Sequence, residues 1–204
     1  MDVTVCVATY GHPWWSGLAQ RRAVPSIYGQ AATFRHYHGT SLHQARSRLL
    51  DMVETEYVCF LDADDELEPG YIEAMAAGTA DIRAPSVRYV IPGNPDRAGA
   101  YIPRVAGHRH DCAGACLPEG NWIVIGAVAK TAVVKAAGGF HEHPWSEDWC
   151  LWVRCWQAGV TIERIPEAVY RAHVRADSRN RSGTAAERLE YHREIARELG
   201  LPVP

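Results

Sequence analysis

Lysine is almost missing from this chain. Lys130 and Lys135 are the only two among 21 cationic side chains, and arginine supplies the rest. Polybasic lysine tracts are therefore absent. With a formal net charge of -3, nothing global draws the protein to nucleic acid or to a membrane surface. Long apolar runs are missing too: no stretch reaches the roughly 18 apolar residues that a membrane-spanning helix needs. The opening "MDVTVCVATYG" has no basic segment followed by an apolar one, so no secretory signal is expected and the expected location is cytoplasmic. Internal repeats and low-complexity tracts are lacking. The six cysteines, at 6, 59, 112, 116, 150 and 155, are scattered. Cys6 and Cys59 sit in apolar runs where cysteine behaves as a small hydrophobe, and all six are expected to be reduced.

What is present is a globular chain of 204 residues, 47% apolar and 22% charged, enough for one domain with a sizeable core. "VTVCVAT" and "YVCFLD" read as buried strands, and "TFRHYH" as a strand between them. Residues 18–28 read as a helix that Pro25 shortens or kinks. "SLHQARSRLLDMVETE" has helical spacing with Ser41 as a cap. "PGYIEAMAAG" reads as a short helix, "DIRAPSVRYVI" and "WIVIGAVA" as strands, and "KTAVVKAAGG" as a helix with a glycine stop. "SEDWCLWVRCWQAG" is a stronger helix, with Ser146 at its N-cap and two acids in its first turn. "VTIERIP" and "AVYRAHV" read as two strands. "TAAERLEYHREIARELG" is amphipathic. This order predicts an α/β fold with a mixed, mainly parallel sheet flanked by helices. The expected division is a domain over 1–182 and a C-terminal helix over 183–204, packed on that domain or extending it. Residues 92–121, rich in Gly, Pro, His and Arg, read as a long loop or hairpin, of a length that is usually functional or mobile.

The chemistry concentrates in "VCFLDADDELEPGY". Ligands of open α/β sheets bind beyond the carboxyl ends of the strands, and Asp62, Asp64 and Asp65 lie where a buried strand leaves the sheet. Hard oxygen donors at such an edge suit Mg²⁺ or Mn²⁺ shared with substrate phosphates. A solvated turn is the plain alternative. Glu147 and Asp148 form a second acidic pair, for which simple compensation of the helix dipole is the alternative. Trp145, Trp149, Trp152 and Trp156 share one helix face by spacing. Most of that stripe reads as core, while Trp145 and Trp149, beside the acids, and Trp14 and Trp15, after the first strand, are candidates to stack on a ligand ring. His108, His110, Cys112 and Cys116 have the ligand types of a zinc site at an unusual spacing. Arg175, Arg179 and Arg181, with Ser178, form a basic segment suited to phosphate groups, for which a mobile, solvated loop is the alternative.

These segments together resemble glycosyltransferase family 2, whose members have the nucleotide-diphosphosugar-binding GT-A fold. "YVCFLDADDELEPGYIEAM" resembles the D-x-D segment. "VTVCVATYG" is similar to the first strand and its nucleotide-contacting turn, "AVPSIYGQ" to the first helix, and "HQARSRLL" to the "ARN" helix. "IGAVAKTAVVKAAGGFHE" and "WSEDWCLWVRCWQAG" resemble the acceptor-side segment and the catalytic helix. "YRAHVRADS" resembles the late segment that contributes a histidine to the metal. The matches run in family order over residues 3–178. The chain departs from the pattern between the first helix and the "ARN" helix. That region is shortened to "AATFRHYHGTSLHQAR", His38 stands where a base-binding Asp is expected, and Ser47 replaces the Asn of "ARN".

The resemblance implies a metal-dependent, inverting, hexosyltransferase-like enzyme with Mn²⁺ or Mg²⁺ as cofactor. A nucleotide-diphosphate sugar, in its expected form a UDP-sugar, would give its sugar to a hydroxyl of a soluble acceptor. It implies Asp148 as general base with Glu147 in support, and Asp64 and His173 at the metal. It further implies Thr9, Tyr10, His38, Arg46, Asp62 and Arg179 at the nucleotide sugar, and Trp145 and Trp149 at the acceptor or sugar. The acceptor stays open among a protein, a small molecule and a modified nucleic-acid base. Two other readings stand beside this one: a non-catalytic sugar- or protein-binding module, and a sugar-phosphate nucleotidyltransferase. The latter is disfavoured because "TYGHPWWSG" lacks the basic residues such enzymes carry after their first strand.

Overall fold

The computed structural model describes residues 1–92, 116–143, 145–175 and 184–201. The first strand, β1 (Val3–Tyr10), is buried along nearly its whole length. It lies parallel to β2 (Thr33–Gly39) on one side and to β3 (Tyr57–Asp62) on the other. A strand covered on both faces carries a continuous apolar run rather than an alternating one. That accounts for the β-branched "VTVCVAT" and for the buried β3. β2 is an edge strand, only partly buried, and its composition is accordingly mixed.

Between β1 and β2 the helix breaks in two, α1 (Trp14–Arg21) and α2 (Ala23–Ile27). Pro25 has no N–H to return to the Arg21 carbonyl, and its ring crowds that carbonyl, so the break falls at Arg22. Helix formation also starts earlier than the spacing predicts, at Trp14. The next helix, α3 (Leu42–Asp51), begins as expected: Gln44 N donates to Ser41 Oγ at 3.3 Å. Its Arg46, Leu49 and Leu50 are buried, which fixes one arginine inside the domain.

Beyond β3, the two-residue strand β4 (Glu66–Leu67) and helix α4 (Tyr71–Ala76) lead into β5 (Ile82–Val90). β6 (Val128–Lys130) is short and antiparallel to both β3 and β5. The predicted strand "WIVIGAVA" is thus strand only at its end. Ahead of β6, a Cβ on Gly126 would lie 2.2 Å from the Tyr170 ring, and Tyr71 Oη donates to the Gly126 carbonyl at 2.7 Å. The backbone there is a packing surface for two tyrosines.

Helix α5 (Thr131–Ala136) and helix α6 (Glu147–Gln157) follow. The two strands expected over 160–174 are one, β7 (Ile162–His173), parallel to β5 with a register shift between Pro85 and Ser86. The seven-stranded sheet has the order β2-β1-β3-β6-β5-β7-β4. Its long pairings are parallel, and its antiparallel ones are short. The last helix, α7 (Ala185–Glu198), starts on a Thr184/Glu187 capping box. Its Ile195 and Ala196 join the main core, and Gln157 Nε2 donates to the Leu199 carbonyl at 2.7 Å. Among the described residues no helix is long and apolar enough to cross a membrane.

Candidate active site

The three aspartates that leave β3 have three different environments. Asp65 is buried and structural. Tyr170 Oη donates to its Oδ2 at 2.8 Å, and the His173 backbone N–H donates to its Oδ1 at 2.7 Å. Tyr170 Oη in turn accepts the Asp62 N–H at 3.3 Å, so the turn is fastened to β7. Asp62 is partly exposed and receives Arg46 Nη2 on Oδ1 at 2.7 Å. Asp64 is partly buried, and its carboxyl is pushed up to about 6, first by burial and then by the charge of Asp62. Arg175 Nε is 3.9 Å from its Oδ2. The charge of Asp62 helps to raise the proton affinity of Asp64, and two neighbouring carboxylates of oxygen donor type fit a hard divalent cation.

His173, expected at the same metal, is engaged elsewhere. Its Nε2 lies 2.5 Å from Glu66 Oε2, and burial is the main cause of its lowered pKa. Arg175 stands over the rings of Trp14 and Trp15, at 4.8 and 5.0 Å from their centroids. Those two tryptophans, candidates for a sugar platform, therefore carry an arginine that also faces the acidic turn. Arg179 and Arg181 lie outside the described residues.

Arg46 connects the two acidic pairs. Its Nη1 donates to Glu147, a buried carboxylate at the start of α6, while its Nη2 holds Asp62. Glu147 and Asp148 therefore sit against the end of β3, although they come from the far side of the sequence. Asp148 is half-buried. Its carboxyl is pushed up to about 6, first by burial and then by the charge of Glu147, with Arg46 acting in the opposite direction. The Trp149 N–H donates to its Oδ1 at 2.8 Å. Asn121 supplies a further side-chain hydrogen bond to it. The Asn121 Oδ1 already accepts from Ile123 N at 3.2 Å, so the amide nitrogen is the group offered to Asp148.

Ser146, expected to cap α6, makes no side-chain cap. It has φ 57°, a left-handed conformation that a non-glycine residue adopts only at a cost. The chain has to turn sharply there to bring Glu147 back onto Arg46.

A cavity of about 440 Å³ opens over these groups, lined by Arg46, Asp62, Asn121, Asp148 and Trp145, and closed on one side by Leu189, Tyr191 and His192 of α7. Asn121 and the α7 residues were not singled out from the sequence. An aromatic–His pair within an amphipathic helix was the one available signal. Trp149, expected at the acceptor, is a core residue. It is 1% exposed, its Nε1 donates to the Leu117 carbonyl at 2.7 Å, and His192 stacks on it at 4.3 Å. Trp145 does reach the cavity and meets Tyr191 edge-on at 5.3 Å.

The residues expected at the nucleotide divide. His38 lines a second, shallower recess of about 470 Å³ with Gly11, Tyr37, Gly39, Thr40 and Gln44. Thr9 lies behind it, buried, with Oγ1 2.9 Å from His36 Nε2 and 3.0 Å from His38 Nδ1. Thr9 therefore orients His38 rather than facing the recess. Tyr10 borders a smaller hollow with Ser41, His43 and Glu142. In the zinc candidate over 108–116, residues 108–115 lie outside the described residues. Cys116 is disulfide-bonded, contrary to the expectation of a reduced thiol, and in that form its sulfur offers no thiolate to a metal. Cys6, Cys59, Cys150 and Cys155 are free.

Residues 19–110 match the family model for glycosyl transferase family 2. Among solved structures, the chain is similar to S. aureus TarS 1–349 in complex with UDP-GlcNAc. The TM-score is 0.70 at 15% identity, over 100% of this chain and 68% of that one. It is also similar to a longer S. aureus TarS structure, with a TM-score of 0.65 at 16% identity, covering 41% of that chain. At these identities the likeness is one of fold. No curated protein matches the sequence.

Proposed function

Starting from a glycosyltransferase of family 2 type with the GT-A fold, we propose that this chain catalyses metal-dependent, inverting transfer of a sugar. The donor is a nucleotide-diphosphate sugar, a UDP-sugar in its simplest form, and the acceptor is a hydroxyl. One observation carries the reading. Arg46 ties Asp62 to Glu147, and so brings the D-x-D turn and Asp148 to the wall of one cavity.

Asp148 is the general base. Its carboxylate takes the proton of the acceptor hydroxyl as that oxygen bonds to the anomeric carbon from the face opposite the leaving group. The bond from that carbon to the phosphate oxygen breaks, and the nucleoside diphosphate leaves with the electron pair. A carboxylate poised near 6 is ionised at neutral pH and still basic enough to accept the proton. Asn121 and the Trp149 N–H hold it in place. Glu147 is neutralised by Arg46 and serves to orient. Trp145 and the α7 side chains form the acceptor side, where they exclude water.

Asp64, with Asp62 beside it, would hold Mn²⁺ or Mg²⁺. The cation's contribution when bound is to neutralise the donor diphosphate. His173 would have to leave Glu66 to take part. Arg175 would face the same phosphates, and His38 would stand at the nucleobase.

The test is a panel of nucleotide sugars with Mn²⁺ or Mg²⁺, read by nucleotide release, followed by Asp148→Asn with the active donor. We expect transfer to fall by roughly 10²–10⁴-fold with donor affinity unchanged. Transfer that survives within a few fold, or a product that keeps the donor's anomeric configuration, overturns the mechanism.

A further inference from the structure

Two histidines and a carboxylate that the proposed transfer does not use meet where the C-terminal helix docks. His141 and His143 lie in the irregular segment between α5 and α6, and Glu198 closes α7. One ligand-type atom from each of the three lies within 4.8 Å of the other two. They are the one such trio among the described residues.

The centre of the cluster is built rather than accidental. The His143 side chain is only 8% exposed. Its Nδ1 is 2.8 Å from Tyr191 Oη, while its Nε2 is buried without a hydrogen-bond partner. Glu198 Oε1 is 4.0 Å from that nitrogen, too far for a hydrogen bond. Buried polar atoms are rarely left unpaired, and an exception calls for a missing partner. With Nδ1–H donating to Tyr191, Nε2 carries the lone pair, and a hydrogen bond on the far nitrogen is the usual way an imidazole ligand is oriented.

We propose that His141, His143 and Glu198 bind a divalent cation of the zinc class, which pins α7 to the segment that leads into α6. Two imidazoles and one carboxylate match zinc, whereas magnesium prefers all-oxygen sets. Three protein ligands leave the fourth tetrahedral position to water. Zinc bonds of about 2.0–2.1 Å place ligand atoms roughly 3.3 Å apart, so the trio must close by up to about 1.5 Å. His141 is exposed, with one ring hydrogen bond to the Gly138 backbone to give up or keep, and Glu198 is 54% exposed at a helix end, so both have room for that movement. The Arg154 guanidinium is a neighbouring charge of His141. Arg154 is itself turned toward the Ala137 and Gly139 carbonyls. The clamp has a consequence for the cavity, because the helix it fixes carries Leu189, Tyr191 and His192.

The test uses tag-free protein stripped with chelator and titrated with ZnCl₂ or MgCl₂ by calorimetry and thermal shift. Wild type, His141→Gln, Glu198→Gln and Asp64→Asn are compared, and a Co²⁺-loaded sample is read by its visible spectrum. We expect stoichiometric zinc binding that raises the melting temperature, with no equivalent effect of magnesium. His141→Gln and Glu198→Gln should each weaken zinc binding by roughly 10–100-fold, and Asp64→Asn should keep it. The proposal is overturned if wild type binds no zinc, if both variants bind zinc like wild type, or if the cobalt spectrum shows thiolate ligation. Failure of the transferase reading leaves these outcomes unchanged, since none of them depends on turnover.

Discussion

Arg46 and Glu147 form a buried ion pair although 101 positions separate them in the sequence. The same guanidinium holds Asp62 with its other nitrogen. A planar group with fixed, diverging donors can serve two carboxylates at once, which a lysine ammonium at the end of a flexible stem does poorly. The pairing explains why the lone buried arginine of α3 stands opposite both acidic pairs. Its own pKa is raised further by those carboxylates, despite the opposing effect of burial.

Arg46→Met is therefore expected to act on stability before it acts on chemistry. It leaves Glu147 buried without its cation, and breaking a buried pair costs about 3–5 kcal/mol. Asp62, with a side chain 39% exposed, adds little, because water can replace the arginine. Urea unfolding measures the loss. Arg46→Lys should recover only part of it. Equal stability of wild type and Arg46→Met would remove the bridge from the account.

Asp64 makes a prediction about pH and metal together. An ordinary aspartate, as in the unfolded chain, titrates near 3.9, and the folded group titrates at about 6. Between those values the folded form binds more protons than the unfolded one. Its contribution to stability is therefore present at low pH and is lost as pH rises from about 4 through 6. At about 1.4 kcal/mol per pKa unit, the loss is on the order of 2–3 kcal/mol. Mn²⁺ replaces the lost proton as the neutralising charge. Thermal melts should then show a larger stabilisation by Mn²⁺ at pH 8 than at pH 5, and Asp64→Asn should flatten both the pH dependence and the metal response. An Mn²⁺ shift that is the same at both pH values would count against this turn as the metal site.

His38 invites a test of base recognition. Thr9 and Ser16 hydroxyls approach its Nδ1 at 3.0 Å, and its Nε2 is 3.2 Å from the Gly11 carbonyl. With both nitrogens engaged by the protein, the ring has a face to offer rather than a hydrogen-bonding edge. A face reads any base by stacking. His38→Ala should weaken UDP and GDP alike, by about tenfold each, in calorimetric titration. A loss confined to one nucleotide would mean that the imidazole reads the base edge.

How much of this was legible in the sequence follows from where each signal lives. β1 and β3 were readable because strands buried on both faces are written as unbroken apolar runs. The D-x-D turn was readable because it directly ends such a run. Ser41 announced α3 through local capping chemistry, whereas Ser146, of the same residue type in an equivalent position, takes a left-handed conformation instead, because the chain must reach Arg46. The tryptophan spacing on α6 marked a face on which Trp149 and Trp152 are buried, while Trp156 is only partly buried and Trp145 precedes the helix. It could not say that Trp149 points inward and Trp145 toward the cavity, since that depends on where α7 lies. β4 and β6 are two and three residues long, and their pairing is set by distant partners. Asn121 and His192 reach the site only through tertiary contacts, so neither carries a local signature.

The acid limb of the pH–rate profile gives the most direct view of Asp148. Burial and Glu147 raise its carboxyl to about 6, against the pull of Arg46. A general base works only when ionised, so kcat should fall by about tenfold for each pH unit below that value and level off above it. Proton competition at Asp64 falls in the same range, and the two have to be separated. Saturating Mn²⁺ and donor suppress the Asp64 contribution, because bound metal excludes its proton, and leave the base visible in kcat. Asn121→Ala then discriminates. The amide of Asn121 stabilises the ionised carboxylate, so its removal should move the limb of kcat to higher pH, with a smaller effect on the plateau. His192→Ala serves as the control from the opposite wall of the cavity: it should raise the acceptor KM and leave the limb where it was. A kcat profile that is flat between pH 5 and 8 under saturation, or a limb that Asn121→Ala does not move, would take the proton-accepting role away from Asp148.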